Sequence, residues 1–382
     1  MSTTEENRPA GEAGGEAARA GRPAAADPEL TALYRDIEAA GLRPLWTITE
    51  QLLTPTPRPR AVPWLWRAAD LRPLAERAIR LVPVERGGER RVLSLTNPGL
   101  GGQPYAAGTL WGALQCLGPR ETAPAHRHTP GAIRFVTEGE GVWTTVDGDA
   151  CDMRPGDLVL TPGGAWHDHA NGGDGHMYWF DGLDLPMIEA LDAIFFEPHP
   201  ELRQPVVGEH NRSEREFRDG GGTPGDTMVA GAVRGPLDPN PSELLVYRWA
   251  ETDARLTELA AASDEPLVSL EFTNPRSGAS VLPTLSCGMH RVRPGGAARP
   301  VRRSGNRIYV VFRGEGHTVL DGRRFDWTAG DMFVVPSWVA EEHHSAAGAD
   351  LFSLGDDPVL RALGVYREER SPAAQEVTGV FG

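Results

Sequence analysis

The stretch that decides the fold runs Ile133-Arg134-Phe135-Val136, Gly139-Glu140-Gly141, Val142-Trp143-Thr144-Thr145-Val146, Asp147-Gly148, Gly156-Asp157, Leu158-Val159-Leu160, Pro162. It returns about 175 residues later as Ile308-Tyr309-Val310-Val311-Phe312, Gly314-Glu315-Gly316, Thr318-Val319-Leu320, Asp321-Gly322, Gly330-Asp331, Met332-Phe333-Val334-Val335, Pro336. In both copies the Asp-Gly turn precedes the Gly-Asp pair by the same interval, and the pair precedes the proline by the same interval. Strand, Asp-Gly hairpin, strand, Gly-Asp turn, strand is the punctuation of an antiparallel barrel or jelly roll. Two such barrels in one mainly β chain are therefore expected.

Outward from the repeats the pattern changes. Residues 1–27 are too poor in apolar side chains to offset the entropy of ordering them, which predicts a disordered tail. Residues 28–89 hold two predicted helices: Leu30, Leu33, Tyr34, Ile37 and Leu42 recur at helical spacing behind Asp27-Pro28, and a second pattern covers 69–82. The Pro- and Trp-rich run Pro55 to Trp66 between them suits neither helix nor strand and predicts an arm covering another surface or subunit. The first barrel is expected over 90–184, a connector with a helix near 241–261 over 185–265, the second barrel over 266–370, and a C-terminal tail over 371–382.

Composition narrows the function. Thirty-eight basic against 53 acidic residues give a net charge of -15, which opposes attraction to nucleic acid or to an anionic membrane. No apolar run reaches the roughly 20 residues of a membrane span, and no signal-peptide block opens the chain, so a cytoplasmic protein is expected. Cys116, Cys151 and Cys287 form no CxxC pair, so neither a disulfide framework nor a thiolate zinc site is indicated.

Histidine carries the chemistry. Seven of the 11 histidines lie in residues 126–210, four of them in the pairs His126/His128 and His167/His169. Alternate residues of an extended segment share a face, so three or four imidazoles are able to converge inside the first barrel. Trp111, Ala113 and Gln115 share a face by the same rule. In the second repeat the positions of His126, His128 and His167 are taken by Val301, Arg303 and Glu341, and no metal is expected there.

These residues resemble the two cupin motifs. The second motif is matched by Gly156, Pro162, Gly164, His167 and Asn171; the first by His126, His128 and Gly139, with Ala132 where many cupins carry a glutamate. Together with Arg90-Arg91-Val92-Leu93-Ser94-Leu95, Asn97-Pro98-Gly99, Trp111-Gly112-Ala113-Leu114-Gln115 and Trp166-His167-Asp168-His169, the chain is similar to the bicupin gentisate 1,2-dioxygenases and their salicylate and 1-hydroxy-2-naphthoate relatives over residues about 30 to 370. The resemblance implies Fe(II) held by His126, His128 and His167, and cleavage of gentisate by O2 to maleylpyruvate. It implies a pocket for a small aromatic hydroxy acid lined by Arg90 or Arg91, Trp111, Ala113, Gln115 and Arg134. It also implies that His169 moves a substrate proton, with Asp181 as its orienting carboxylate, and that the chain forms a homotetramer. Three histidines alone suit zinc equally well, so iron rests on the resemblance. A noncatalytic cupin that binds a small aromatic acid would be favoured by loss of a ligand, and none of the three is lost. A zinc or manganese sugar isomerase would carry the glutamate that Ala132 replaces.

Overall fold

Both Asp-Gly pairs make the turn their residue types permit. Asp147 and Asp321 lie at φ 44° and 45°, and Gly148 and Gly322 at 83° and 81°, the left-handed pair of a two-residue hairpin that matches strand twist. The computed structural model describes residues 27–83, 86, 91–233 and 237–382. The predicted tail therefore lies outside the described residues except for Asp27, which caps the helix Pro28–Ala39 by accepting from Glu29 N at 2.9 Å. That helix belongs to a unit ending at Pro55, distinct from the unit formed by the rest of the chain. No residue of Pro28–Ala39 is buried, and Leu30 and Leu33 are exposed.

The first barrel is two facing antiparallel sheets. One contains Val92–Ser94, Trp111–Leu117, Met177–Leu183, Ala132–Glu138 and Leu158–Thr161; the other contains Thr122–His128, His167–Asn171, Val142–Val146 and Asp149–Asp152. The second barrel repeats the order from Leu267–Phe272 to Ala349–Gly355, with one difference. Where the first breaks its chain between Ala132–Glu138 and Val142–Val146, the second runs a single 14-residue strand, Arg307–Leu320, through both sheets. Cupin-type jelly rolls duplicated in one mainly β chain, as the repeat implies, are thus the architecture.

The barrels pack back to back through the faces that do not line their interiors. Phe135 of the first stacks on Phe352 of the second, ring centroids 4.2 Å apart and planes at 8°, and both are fully buried. The sheets approach so closely that a Cβ on Gly182 would meet Leu354 Cδ2 at 2.3 Å. Because side chains alternate, burying Ile133 and Phe135 in this seam turns Ala132, Arg134 and Val136 toward the interior.

Two strand-helix units cross between the barrels. The run expected to be an arm is in part a strand: Trp64–Trp66 pairs with Met332, Phe333 and Val334 of the second barrel, although its sequence precedes the first. The helix Ala68–Leu81 follows, its first N–H donating to Asp331 Oδ1 at 2.7 Å. The connector repeats the device: Val246–Tyr247 pairs with Leu158 and Val159 of the first barrel, and the helix Trp249–Ala261 donates its first N–H to Asp157 Oδ1 at 2.9 Å. The helix expected from 241 therefore begins at Trp249, and of the residues before it Val246–Tyr247 are strand. The end expected as a tail also joins the fold. Gly379–Val380 pairs with Arg323 and Arg324, and Phe381 is buried against Trp64 and Phe325. No helix among the described residues is long and apolar enough to cross a membrane.

Candidate metal centre

Three imidazoles meet inside the first barrel. His126 and His128 leave Thr122–His128 on one face, and His167 opens the neighbouring strand directly opposite His126. A β-bulge between Ala123 and His126 adds a residue to one side of this pair and re-aims the strand toward the interior. Ligand nitrogens of the three all lie within 4.8 Å of one another, with ring centroids 4.3 to 5.7 Å apart.

Their tautomers are set by the backbone. His126 Nδ1 faces Pro124 O at 2.8 Å, His128 Nδ1 faces Pro130 O at 2.8 Å, and His167 Nδ1 faces Ala165 O at 3.0 Å. A carbonyl only accepts, so each Nδ1 carries the proton and each Nε2 keeps its lone pair. Burial, and then the neighbouring His126, pushes His128 down to about 4, and burial beside Arg134 holds His167 well below the ordinary imidazole value. Neutral rings with oriented lone pairs are what a divalent cation requires of its ligands. Ala132 is fully buried and brings no carboxylate, so the donor set is three nitrogens. That set fits a metal ion with coordination positions left for other ligands.

The wall beside the imidazoles follows from register. Asp181 lies opposite Ala113 on one side and Arg134 on the other, so the three share a face; Gln115 lies opposite Trp179 and Val92 one step along it. Arg134 is 3% exposed, donates to Thr161 Oγ1 through Nη1, and leaves Nε without a hydrogen bond 3.5 Å from Asp181 Oδ1. Contact at this distance is Coulombic and does not use up the guanidinium. The Gln115 side chain makes no hydrogen bond among the described residues, whereas Trp111 donates to Ser94 Oγ at 3.2 Å.

His169 is fixed by a hydroxyl. Its Nδ1 lies 2.8 Å from Thr144 Oγ1, which is also 3.1 Å from Met153 Sδ. With the one hydroxyl proton directed to sulfur, Thr144 accepts from Nδ1–H and Nε2 is left as an acceptor. Burial keeps this ring neutral as well. The expectation that Asp181 orients His169 is corrected: Asp181 accepts from Trp179 Nε1 at 3.0 Å, and it is Trp179 that lies in ring contact with His169, at 5.5 Å, as His167 does at 6.2 Å. Burial raises Asp181 to about 6, opposed by Arg134.

Arg91, the alternative to Arg90 at the pocket, faces elsewhere: it pairs with Glu121 and donates to Val82 O at 2.8 Å, bracing the end of the helix Ala68–Leu81. Arg90 lies outside the described residues. Phe196, which no motif marked, stacks on His126 with centroids 5.1 Å apart. It comes from Phe196–Pro198, a connector strand that pairs with His126, Arg127 and His128. Thr144 and Trp179 were also not singled out for the site; their signal was visible only as strand alternation, which core residues share. Asn171, the last motif position, ties a turn instead, donating to Gly118 O and Gly175 O at 2.8 Å.

Residues 113–183 match the family model described as "Cupin domain". A gentisate 1,2-dioxygenase of Streptomyces sp is 47% identical over 350 residues, covering 89% of this chain and 95% of that protein. A 5-aminosalicylate 1,2-dioxygenase of Comamonas sp is 36% identical, covering 92% of this chain and 94% of its own. Among solved structures, the salicylate 1,2-dioxygenase of Pseudoaminobacter salicylatoxidans in its adducts with gentisate is 39% identical, with a TM-score of 0.83 over 93% of this chain and 97% of that one.

Proposed function

The chain belongs to the gentisate 1,2-dioxygenase family of ring-cleaving dioxygenases, and from that premise we propose that it is an Fe(II) enzyme that opens gentisate with O2 to give maleylpyruvate. The observation that carries this reading is the set of three Nδ1 atoms held against backbone carbonyls, a geometry that turns three Nε2 lone pairs toward one another. His126, His128 and His167 would hold ferrous iron, which would supply the electron path between a closed-shell phenol and triplet oxygen.

The remaining work falls to the chain's own groups. Three neutral imidazoles cancel none of a dication's charge, so the site favours a substrate that brings a carboxylate and an ionised 2-hydroxyl. Arg134, with an Nε that has no hydrogen bond, takes the carboxylate, and its fork fixes the ring's orientation as an ammonium would not. His169 Nε2 accepts the proton of the second hydroxyl as the ring ketonises, since Thr144 holds that nitrogen unprotonated. Ala113 leaves room for the ring, Trp111 supplies a flat wall, and the uncommitted amide of Gln115 meets the substrate's polar edge. Asp181 balances Arg134 within the wall.

The test is anaerobic loading with Fe(II), followed by gentisate, salicylate and 1-hydroxy-2-naphthoate in turn under air, with oxygen uptake and the absorbance of the ring-opened keto acid recorded. Gentisate is expected to be consumed fastest. Absence of oxygen uptake with all three overturns the proposal, and faster cleavage of salicylate or the naphthoate overturns the choice of substrate.

A further inference from the structure

A cavity of about 640 Å³ lies not beside the imidazoles but in the second barrel. Its size is that of a small-molecule site. Arg303 and Glu341, which stand where the first barrel has His128 and His167, contact each other there, and Val301 lies opposite Glu341 as His126 lies opposite His167. The ion pair fills the place of a metal site and leaves two kinds of unmet valence. Glu341 is 4% exposed, and its Oε2 makes no hydrogen bond among the described residues; His343 Nε2 stands 3.6 Å away, and the Tyr309 hydroxyl also faces the carboxylate. Arg307 uses only Nη2, on Asp357 Oδ1 at 2.8 Å, and Arg303 spends Nη1 on Glu341 and Nε on Glu368, so both guanidinium groups keep N–H donors with no protein acceptor.

Two imidazoles of the wall already have partners. His290 is held between Ser269 Oγ and Ser353 Oγ, each at 2.8 Å, and His343 Nδ1 by Thr318 Oγ1 at 2.8 Å. Four arginines and four glutamates line the space, so a ligand is positioned by individual groups and not by a net field. A buried carboxylate oxygen lacking a donor, beside guanidinium protons lacking an acceptor, calls for a molecule that offers both.

We propose that the second barrel is a metal-free binding site for a small hydroxy carboxylic acid, whose carboxylate takes the unpaired N–H groups of Arg303 and Arg307 and whose hydroxyl donates to Glu341 Oε2. The proposal depends on the function given above only for the choice of gentisate as probe.

The experiment is equilibrium dialysis of gentisate, under argon, against the full chain carrying His126→Ala and His167→Ala, which removes chelation in the first barrel. Saturable binding is expected. Adding Glu341→Gln, which preserves shape, is expected to weaken it about tenfold or more, the range of a hydrogen bond to a charged group. Should that variant fold poorly, benzoate, which lacks the hydroxyl, is expected to bind the unaltered cavity about tenfold more weakly than gentisate by the same argument. No saturable binding at millimolar gentisate, affinity indifferent to Glu341→Gln and to the hydroxyl, or a crystal at high gentisate with water alone against Glu341 overturns the proposal. Turnover by the iron-loaded unaltered chain reports separately: cleavage without cavity binding removes this site and leaves the function standing, while cavity binding without cleavage supports this site and removes the function.

Discussion

His126, His128 and His167 in the first barrel stand where the second has Val301, Arg303 and Glu341, yet the imidazole two residues beyond keeps its setting in both: His169 on Thr144 and His343 on Thr318, each at 2.8 Å. The Thr-His hydrogen bond is therefore a property of the fold, and it does not by itself mark catalysis. What distinguishes the first barrel is the set that differs. Three neutral nitrogens cannot satisfy one another and need a cation, whereas Arg303 and Glu341 neutralise each other's charge without one. On the adjoining sheet, Arg134 opposite Asp181 has as its counterpart Tyr309 opposite Ser353. One interior keeps a cationic group beside its three imidazoles, and the other replaces that group with a phenol in edge contact with His343, centroids 4.9 Å apart.

The contrast breaks first at the ligands. His167→Ala is expected to abolish iron retention and lower turnover more than about a thousandfold, since metal polarisation contributes several kcal/mol. Its counterpart Glu341→Gln is expected to leave iron content and turnover unchanged. Iron analysis after desalting, beside oxygen uptake, measures both, and stoichiometric iron in His167→Ala contradicts the ligand set. Next comes the guanidinium. Arg134→Leu is expected to reduce kcat/KM for gentisate about 30-fold or more, as loss of a buried charge-assisted contact does, with iron retained; Tyr309→Phe is expected to change it less than about twofold on the same reasoning. Equal effects would show that the two positions share a structural task.

The cluster of three imidazoles able to hold a metal was legible because an i, i+2 pair on a strand has only one geometry, and because the duplicated punctuation supplied its own control: positions that lost histidine in the second repeat could be read beside those that kept it. Arg134 on the pocket face follows from the same alternation. Asp181 was misread because a carboxylate's partner depends on the register of three strands at once, and the sequence carries no sign that Trp179 rather than His169 would take its oxygen. Arg91 fell on the outer face, one residue out of phase with Val92, where a one-step slip reverses every side chain. The crossing strand Trp64–Trp66 escaped notice because its three residues sit among prolines and its partner is more than half the chain away, so neither period nor composition announces it.

Acidity sharpens the comparison further, because Asp181 titrates and its counterpart Ser353 does not. Burial raises the Asp181 carboxyl from 3.8 to about 6, so the folded chain binds a proton there that the unfolded chain releases. Stability from this group is fully present below pH about 4 and is lost as pH rises through about 6, a change of about 3 kcal/mol at 1.36 kcal/mol per unit. Asp181→Asn removes the dependence. Denaturant unfolding of both proteins at pH 4, 5, 6 and 7 is expected to show the unaltered chain losing about 3 kcal/mol relative to the variant across that window, and parallel profiles contradict the raised value.

The smallest effect concerns the two crossing helices, neither of which is capped by its own side chains. Asp331 receives Ala68 N and Thr328 N, whereas Asp157 receives Trp249 N and also Arg248 Nη1 at 2.7 Å. Replacing Asp331 by Ala removes a cap supplied across the barrel seam and is expected to cost about 1 kcal/mol. Asp157→Ala removes a cap and one of the two carboxylates on Arg248, which is 12% exposed at its side chain and keeps Glu214, so its cost is expected to be the larger of the two. If urea denaturation gives the same loss at both positions, the Arg248 pair contributes nothing and the two joints are energetically alike; an excess at Asp157 makes the first barrel's seam the tighter one, the barrel in which the imidazoles must hold their spacing.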